Sequence, residues 1–311
     1  MQTRRRTRSL LRLPDHSPGV TPQAGYSRSS GAGKALIPRL RVILLVCFAA
    51  AFVLSVTMLI RHYASGTREE LALKKLTTFV ASHTQTPVAS AVPGDVAEPS
   101  PTPKAPVIME QYKELYQQNP DIVGWVRIDG TKIDYPVMYT GDDFYLSHGF
   151  DKEDSRSGVP FIDKRCSVRP MGTNTIIYGH HMKNGTMFAG LAKYRKRSFY
   201  KEHPIIHLDT LYEQQEYEII AVFESQIFRK SDTIFKHYNF LYAESEDEFN
   251  EYIRNIKALA LYDTGVTASY GDTLLTLVTC AYHTENGQYV VVAKRRALSA
   301  FVVSSHLLLP R

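Results

Sequence analysis

The chain has 311 residues and a net charge of +6, enough for one large or two small domains. Its first third holds too little packable sequence to form one of them, which leaves a single globular domain. The charge is lopsided: nine Lys and Arg stand against Asp15 alone in residues 1–41, a net of +8, so residues 42–311 sum to about −2 and nothing in them asks for nucleic acid. Three cysteines, Cys47, Cys166 and Cys280, exclude a disulfide framework.

In chain order, residues 1–41 form a basic arm. Residues 42–60 (VILLVCFAAAFVLSVTMLI) are an uncharged run free of Gly and Pro. As a helix rising about 1.5 Å per residue they nearly cross a hydrocarbon core of about 30 Å. A cleaved signal peptide is the competing reading, but its apolar stretch is about 7 to 15 residues and close to the N-terminus. The run reads as a transmembrane signal anchor, with the basic arm cytoplasmic and the body extracellular. This predicts a single-pass protein of the plasma membrane.

Residues 61–106 read as a stalk and linker. The spacing of apolar residues over 67–81 predicts a helix, and 82–106 are rich in Pro, Ala, Ser and Thr, with too few large apolar side chains to offset the entropy of ordering. The domain begins at Val107 with an amphipathic helix that stops at Asn119-Pro120. β-type runs follow at 122–128, 132–138, 173–179, 204–210, 216–225, 272–279 and 288–295, with helical patterns at about 186–202 and 244–261. The fold expected is mainly β, a barrel of seven or eight strands with peripheral helices. Residues 297–311 are apolar but too short and Ser-interrupted to span a membrane; their role is unknown.

Two segments carry candidate chemistry. TLLTLVTCAY (273–282) ends a strand on Cys280 just before a polar loop, where a thiolate can meet substrate while its strand aims it. A buried Cys packed as a small hydrophobe is the plainer reading of the same strand, and a Cys166–Cys280 disulfide would remove the nucleophile. TNTIIYGHHMKNGTMFAGL (173–191) ends a strand at Gly179 and continues into His180 and His181. If the two strands are neighbours, a His can exchange protons with the thiol and the leaving amine; alone, such a pair is solvated surface. His203 and His207 have helical metal-ligand spacing, but the run between them is strand-like, which sets them about 13 Å apart. No metal is expected.

Residues 107–296 resemble class B sortases of Gram-positive cell surfaces, through NPDIVGWVRIDGTKIDYPVM (119–138), NTIIYGHHMKNGTMFAGLAKY (174–194), FYKEHPIIHLDT (199–210) and TLVTCAY followed by YVVVAK, all in the family's order. The resemblance implies a closed sortase-type β-barrel with a Cys nucleophile, a His across the groove and an Arg on the next strand. It maps the first two onto Cys280 and His180, with His181 a neighbour. The implied reaction cleaves a sorting-signal peptide of a secreted protein through a thioacyl enzyme and passes the acyl group to a peptidoglycan precursor or pilin amine, without a cofactor.

The family Arg position holds Gln288, which can donate a hydrogen bond but carries no charge. Lys294, Arg165 or Arg169 are the candidate substitutes, Lys294 the poorest because it lies about 20 Å along the strand from Gln288. Val278 stands where many relatives have Ser. Thr279, Tyr282 and Tyr289, together with His181, are candidate groove residues, although such Tyr side chains more often pack a barrel. Two other readings compete: a catalytically impaired sortase-fold binding protein, motivated by Gln288, and a Cys–His peptidoglycan hydrolase. Against the hydrolase, His180 precedes the Cys and the Cys ends a strand.

Overall fold

The computed structural model describes residues 36–84, 106–281 and 284–297. The basic arm up to residue 35, most of the Pro-rich linker, Tyr282 and the tail from 298 lie outside them. The chain divides into two units, Met1–Ile60 and Arg61–Arg311. In the first, Leu40–Ile60 is an apolar stretch of helix α1 (Leu36–Thr84) with none of its surface buried, long enough to cross a membrane. It contains the apolar run 42–60.

In the second unit, the last turns of α1 lie on the body through Leu73, Leu76, Phe79 and Val80. Thr77 Oγ1 donates to the Asp134 carbonyl at 3.1 Å, and Ser157 Oγ donates to Glu69 Oε2 at 2.8 Å. Helix α2 (Glu110–Gln118) buries Tyr112 and Leu115, three residues apart and therefore on one face. Asn119 ends it, with its Nδ2 donating to Tyr145 Oη and to the Phe150 carbonyl, both at 2.7 Å.

Eight strands close a barrel: β1 (Ile122–Arg127), β2 (Asp134–Met138), β3 (Phe161–Ile162), β4 (Asn174–Tyr178), β5 (Ile205–Thr210), β6 (Glu216–Gln226), β7 (Leu274–Ala281) and β8 (Gly287–Arg295), in the order β1-β2-β3-β4-β7-β8-β6-β5. Closure through β1 and β5 leaves no open edge. It depends on Gly124, where a Cβ would stand 2.3 Å from the Asp209 carbonyl oxygen.

The helical pattern at 186–202 resolves into a 3₁₀ stretch, Phe188–Arg195, and a short α3 (Arg197–Glu202). The 3₁₀ stretch buries Phe188, Ala189, Leu191 and Tyr194, and this packing accounts for the periodic signal. Helix α4 (Glu246–Leu259) opens on Ser245, whose hydroxyl accepts from the Glu248 amide, with Glu246, Asp247 and Glu248 at the positive end of its dipole. It buries Phe249, Tyr252, Ile253 and Ile256, the i, i+3, i+4, i+7 stripe of a helix covering a sheet.

Candidate active site

The site is set by strand register. β4 and β7 run parallel, with Asn174 opposite Leu274 and Tyr178 opposite Val278. The Gly179 amide extends the pairing by donating to the Val278 carbonyl at 3.1 Å. His180 and Cys280 therefore each lie two residues beyond a matched pair, on neighbouring strand ends about 4.8 Å apart in the sheet. Gly179 is required there, because a Cβ would meet the Phe188 ring at 2.7 Å.

On the other flank β7 pairs antiparallel with β8, and Cys280 is directly opposite Gln288. Directly paired residues project from one face, so Cys280 and Gln288 share a side of the sheet. Cys280 is exposed, whereas Gln288 is 8% exposed and its Oε1 has no hydrogen-bond partner among the described residues. Thr279 and Tyr289 are opposite each other on the alternate face and are buried. Tyr289 approaches the histidine loop there, its ring centroid 6.1 Å from that of His181.

The two histidines make different bonds. His181 Nδ1 lies 2.8 Å from the Cys280 carbonyl oxygen, which can only accept, so the ring donates. In a continued parallel ladder the His181 amide would occupy that position; the side chain replaces it where the chain leaves the sheet. His180 Nε2 lies 2.7 Å from the Leu146 carbonyl and donates by the same reasoning, which leaves Nδ1 as the lone-pair nitrogen of the neutral ring. Leu146, at the end of the 3₁₀ turn Phe144–Leu146, drew no notice in the sequence because it contributes only a backbone oxygen.

The cations weighed as substitutes for a charge at position 288 are placed apart. Lys294 pairs with Leu274, six ladder positions from Cys280, and its Nζ lies 4.0 Å from Asp272. The Arg169 guanidinium sits over the Tyr212 ring at 5.4 Å. Arg165 donates through Nε and Nη2 to Asp163 and through Nη2 to the Tyr238 carbonyl. Burial pushes the Asp163 carboxyl up, but the bonds from Arg165 outweigh it and hold the group below the usual carboxylate range. His203 packs at a tilt against Phe199, and His207 bonds Asp129 at 3.2 Å.

Cys166 and Cys280 are both free. Cys166 is buried in the β3–β4 connection, and burial pushes its thiol up to about 11. Iodoacetamide at pH 8 will therefore modify Cys280 in the folded protein and Cys166 only after denaturation. Peptide mapping after a timed reaction checks this, and equal labelling of the two would contradict it.

His237, between β6 and α4, is buried edge-on against Phe223 at 5.6 Å, and neither ring nitrogen has a hydrogen-bond partner among the described residues. Burial lowers its pKa from 6.5 to about 4. The stability from the neutral ring is complete above pH 6.5 and is lost as the pH falls toward 4, a span worth about 3 kcal/mol. Urea midpoints at pH 7 and pH 4.5 should separate in the natural protein, and His237→Phe should narrow the gap; an unchanged gap would remove His237 as its source.

A closed mixed barrel that sets a thiol, an imidazole and a carboxamide at neighbouring strand ends is an arrangement suited to cysteine acyl transfer. Residues 126–296 match the Sortase domain model. Sortase B of Listeria monocytogenes is 34% identical over 194 residues, covering 60% of this chain and 74% of the relative; sortase B of Staphylococcus aureus is 32% identical over 191, covering 60% and 75%. Among solved structures, a Staphylococcus aureus sortase B–substrate complex aligns with TM-score 0.62 at 27% identity, over 76% of this chain and 100% of that one. Sortase B from B. anthracis in complex with AAEK1 aligns at 0.60 and 28%, over 75% and 98%. The chain belongs to the sortase family of cysteine transpeptidases, and within it to class B.

Proposed function

We propose that this sortase cleaves a sorting-signal peptide of a secreted protein at Cys280, with His180 as the proton carrier and Gln288 as an uncharged donor to the reacting carbonyl. The observation that carries the reading is the register that sets His180 and Gln288 on either side of Cys280. Cys280 Sγ attacks the scissile carbonyl carbon as its proton passes to His180 Nδ1. The C–N bond breaks, the leaving amine takes that proton, and a thioester remains. An acceptor amine, of a peptidoglycan precursor or a pilin Lys, then attacks the thioester carbon and loses its proton to His180, and the thiol is restored.

Gln288 Nε2 is the donor for the oxyanion. Loss of one such donor costs on the order of 100-fold to 1000-fold in rate, so the group matters without a charge. The apolar helix anchors the chain as a single-pass protein with its N-terminus in the cytoplasm and the barrel outside. The basic residues before the span motivate that orientation.

Mass spectrometry of the protein after incubation with a sorting-peptide library and an amine acceptor tests the proposal. The expected product is a thioester on Cys280 that the amine consumes. Peptide binding without a thioester would favour an acyl-transfer-impaired binding protein, a reading motivated by Gln288 in place of the family Arg.

A further inference from the structure

The Leu146 carbonyl that holds His180 belongs to a short turn, and residues 155–159 brace that turn from one side. The Ser155 amide donates to the Ser147 carbonyl at 2.9 Å and the Val159 amide to the Tyr145 carbonyl at 3.0 Å, one bond on either side of Leu146. Between them lies Gly158, with φ +53°, where a Cβ would stand 2.4 Å from the Tyr145 oxygen and 2.7 Å from the Leu146 oxygen. The segment thus packs against the same oxygen that accepts from His180 Nε2 at 2.7 Å.

Glu69 of α1 holds this segment in turn. Its Oε1 accepts from the Arg156 amide at 3.3 Å and its Oε2 from the Ser157 hydroxyl at 2.8 Å. Ser157 Oγ has one proton and gives it to the carboxylate, so Ser155 must donate in the 3.1 Å contact between the two hydroxyls, and Ser155 Oγ accepts from the Gly158 amide at 3.1 Å. Each donor in this relay points toward Glu69. Ser155 and Ser157 are buried, and bonds aligned in this way polarise one another.

The other side of the turn is fixed independently, since Tyr145 Oη accepts from Asn119 at 2.7 Å and donates to Asp121 at 2.8 Å. Loss of Glu69 therefore loosens the turn without releasing it. Displacing a catalytic group by about 1 Å can cost about 100-fold in rate, and a turn freed on one side only should cost about tenfold.

We propose that Glu69 is a positioning residue of the acyl-transfer site: through Ser157 and Gly158 it fixes the Leu146 carbonyl, which keeps His180 protonated at Nε2 with Nδ1 open. This rests on the reading of His180 as the proton carrier, and it makes the docked turns of α1 a working part of the site.

The test uses the full chain in detergent. Glu69→Ala is expected to slow single-turnover thioester formation about tenfold, with the half-saturating peptide concentration changed less than about twofold, because the lost contact acts on the reacting group and not on binding. Glu69→Gln keeps an acceptor oxygen and should recover most of the rate. Ser157→Ala should cost as much as Glu69→Ala, and the double variant no more than either. Thr77→Val frees the same helix from the Asp134 carbonyl instead and should leave the rate nearly unchanged.

A second readout needs no turnover. In 15N spectra of the histidine rings, the His180 signals, identified by their loss in His180→Ala, should move from the Nε2-protonated form toward a mixture of tautomers in Glu69→Ala. An unchanged rate in Glu69→Ala, additive losses in the double variant, or an equal loss in Thr77→Val overturns the proposal. If Glu69→Ala does not fold, Ser157→Ala carries both readouts. If the wild type forms no thioester, the transpeptidase reading fails separately, and an unchanged His180 ring spectrum in Glu69→Ala then overturns the positioning role.

Discussion

Cys280→Ala will abolish peptide cleavage and leave no acyl-enzyme to trap, while the barrel keeps its stability. Cys280 is exposed at the end of β7, so removing its Sγ deletes a surface atom and opens no cavity. Cys166 cannot substitute, because it is buried and that burial holds its thiol up to about 11, and Cys47 lies in the apolar stretch of α1. Cleavage assays and intact-mass spectra of the variant, paired with its melting curve, decide the matter. Full retention of activity would end the proposed mechanism.

His180→Ala carries the second large effect, a fall of 100-fold to 10,000-fold in thioester formation, the range for losing a positioned proton carrier. The informative control is its neighbour. His181 bonds the Cys280 carbonyl rather than standing with Nδ1 open, so His181→Ala loosens the strand end and should cost about tenfold. Single-turnover rates of the two variants give the comparison. If His181→Ala proves the more damaging, the roles of the two rings are reversed.

Much of this was legible in the sequence because strand ends and turn chemistry are local. TLLTLVTC and TNTIIYG each announce a β-branched run that stops at a polar loop, and both form strands ending within one residue of the pattern. β3 escaped because two residues, Phe161 and Ile162, are too few to show a period. The parallel alignment of β4 with β7 was visible only as a condition, since no local pattern encodes which of eight strands become neighbours. Arg165 was one of three possible cations in the sequence. Its bonds to Asp163 and Tyr238 join segments 73 residues apart, and only the folded chain brings them together.

The parallel β4–β7 seam also governs when the thiol gains its partners. His180 and Cys280 are 100 positions apart in the chain, and pairing of such distant segments is slow because loop closure must precede any reward. A chain still folding carries its cysteine without a base beside it and without a carboxamide across from it. The groups that the proposed acyl transfer uses thus come together only with barrel closure, and a partly folded copy offers no more than ordinary thiols.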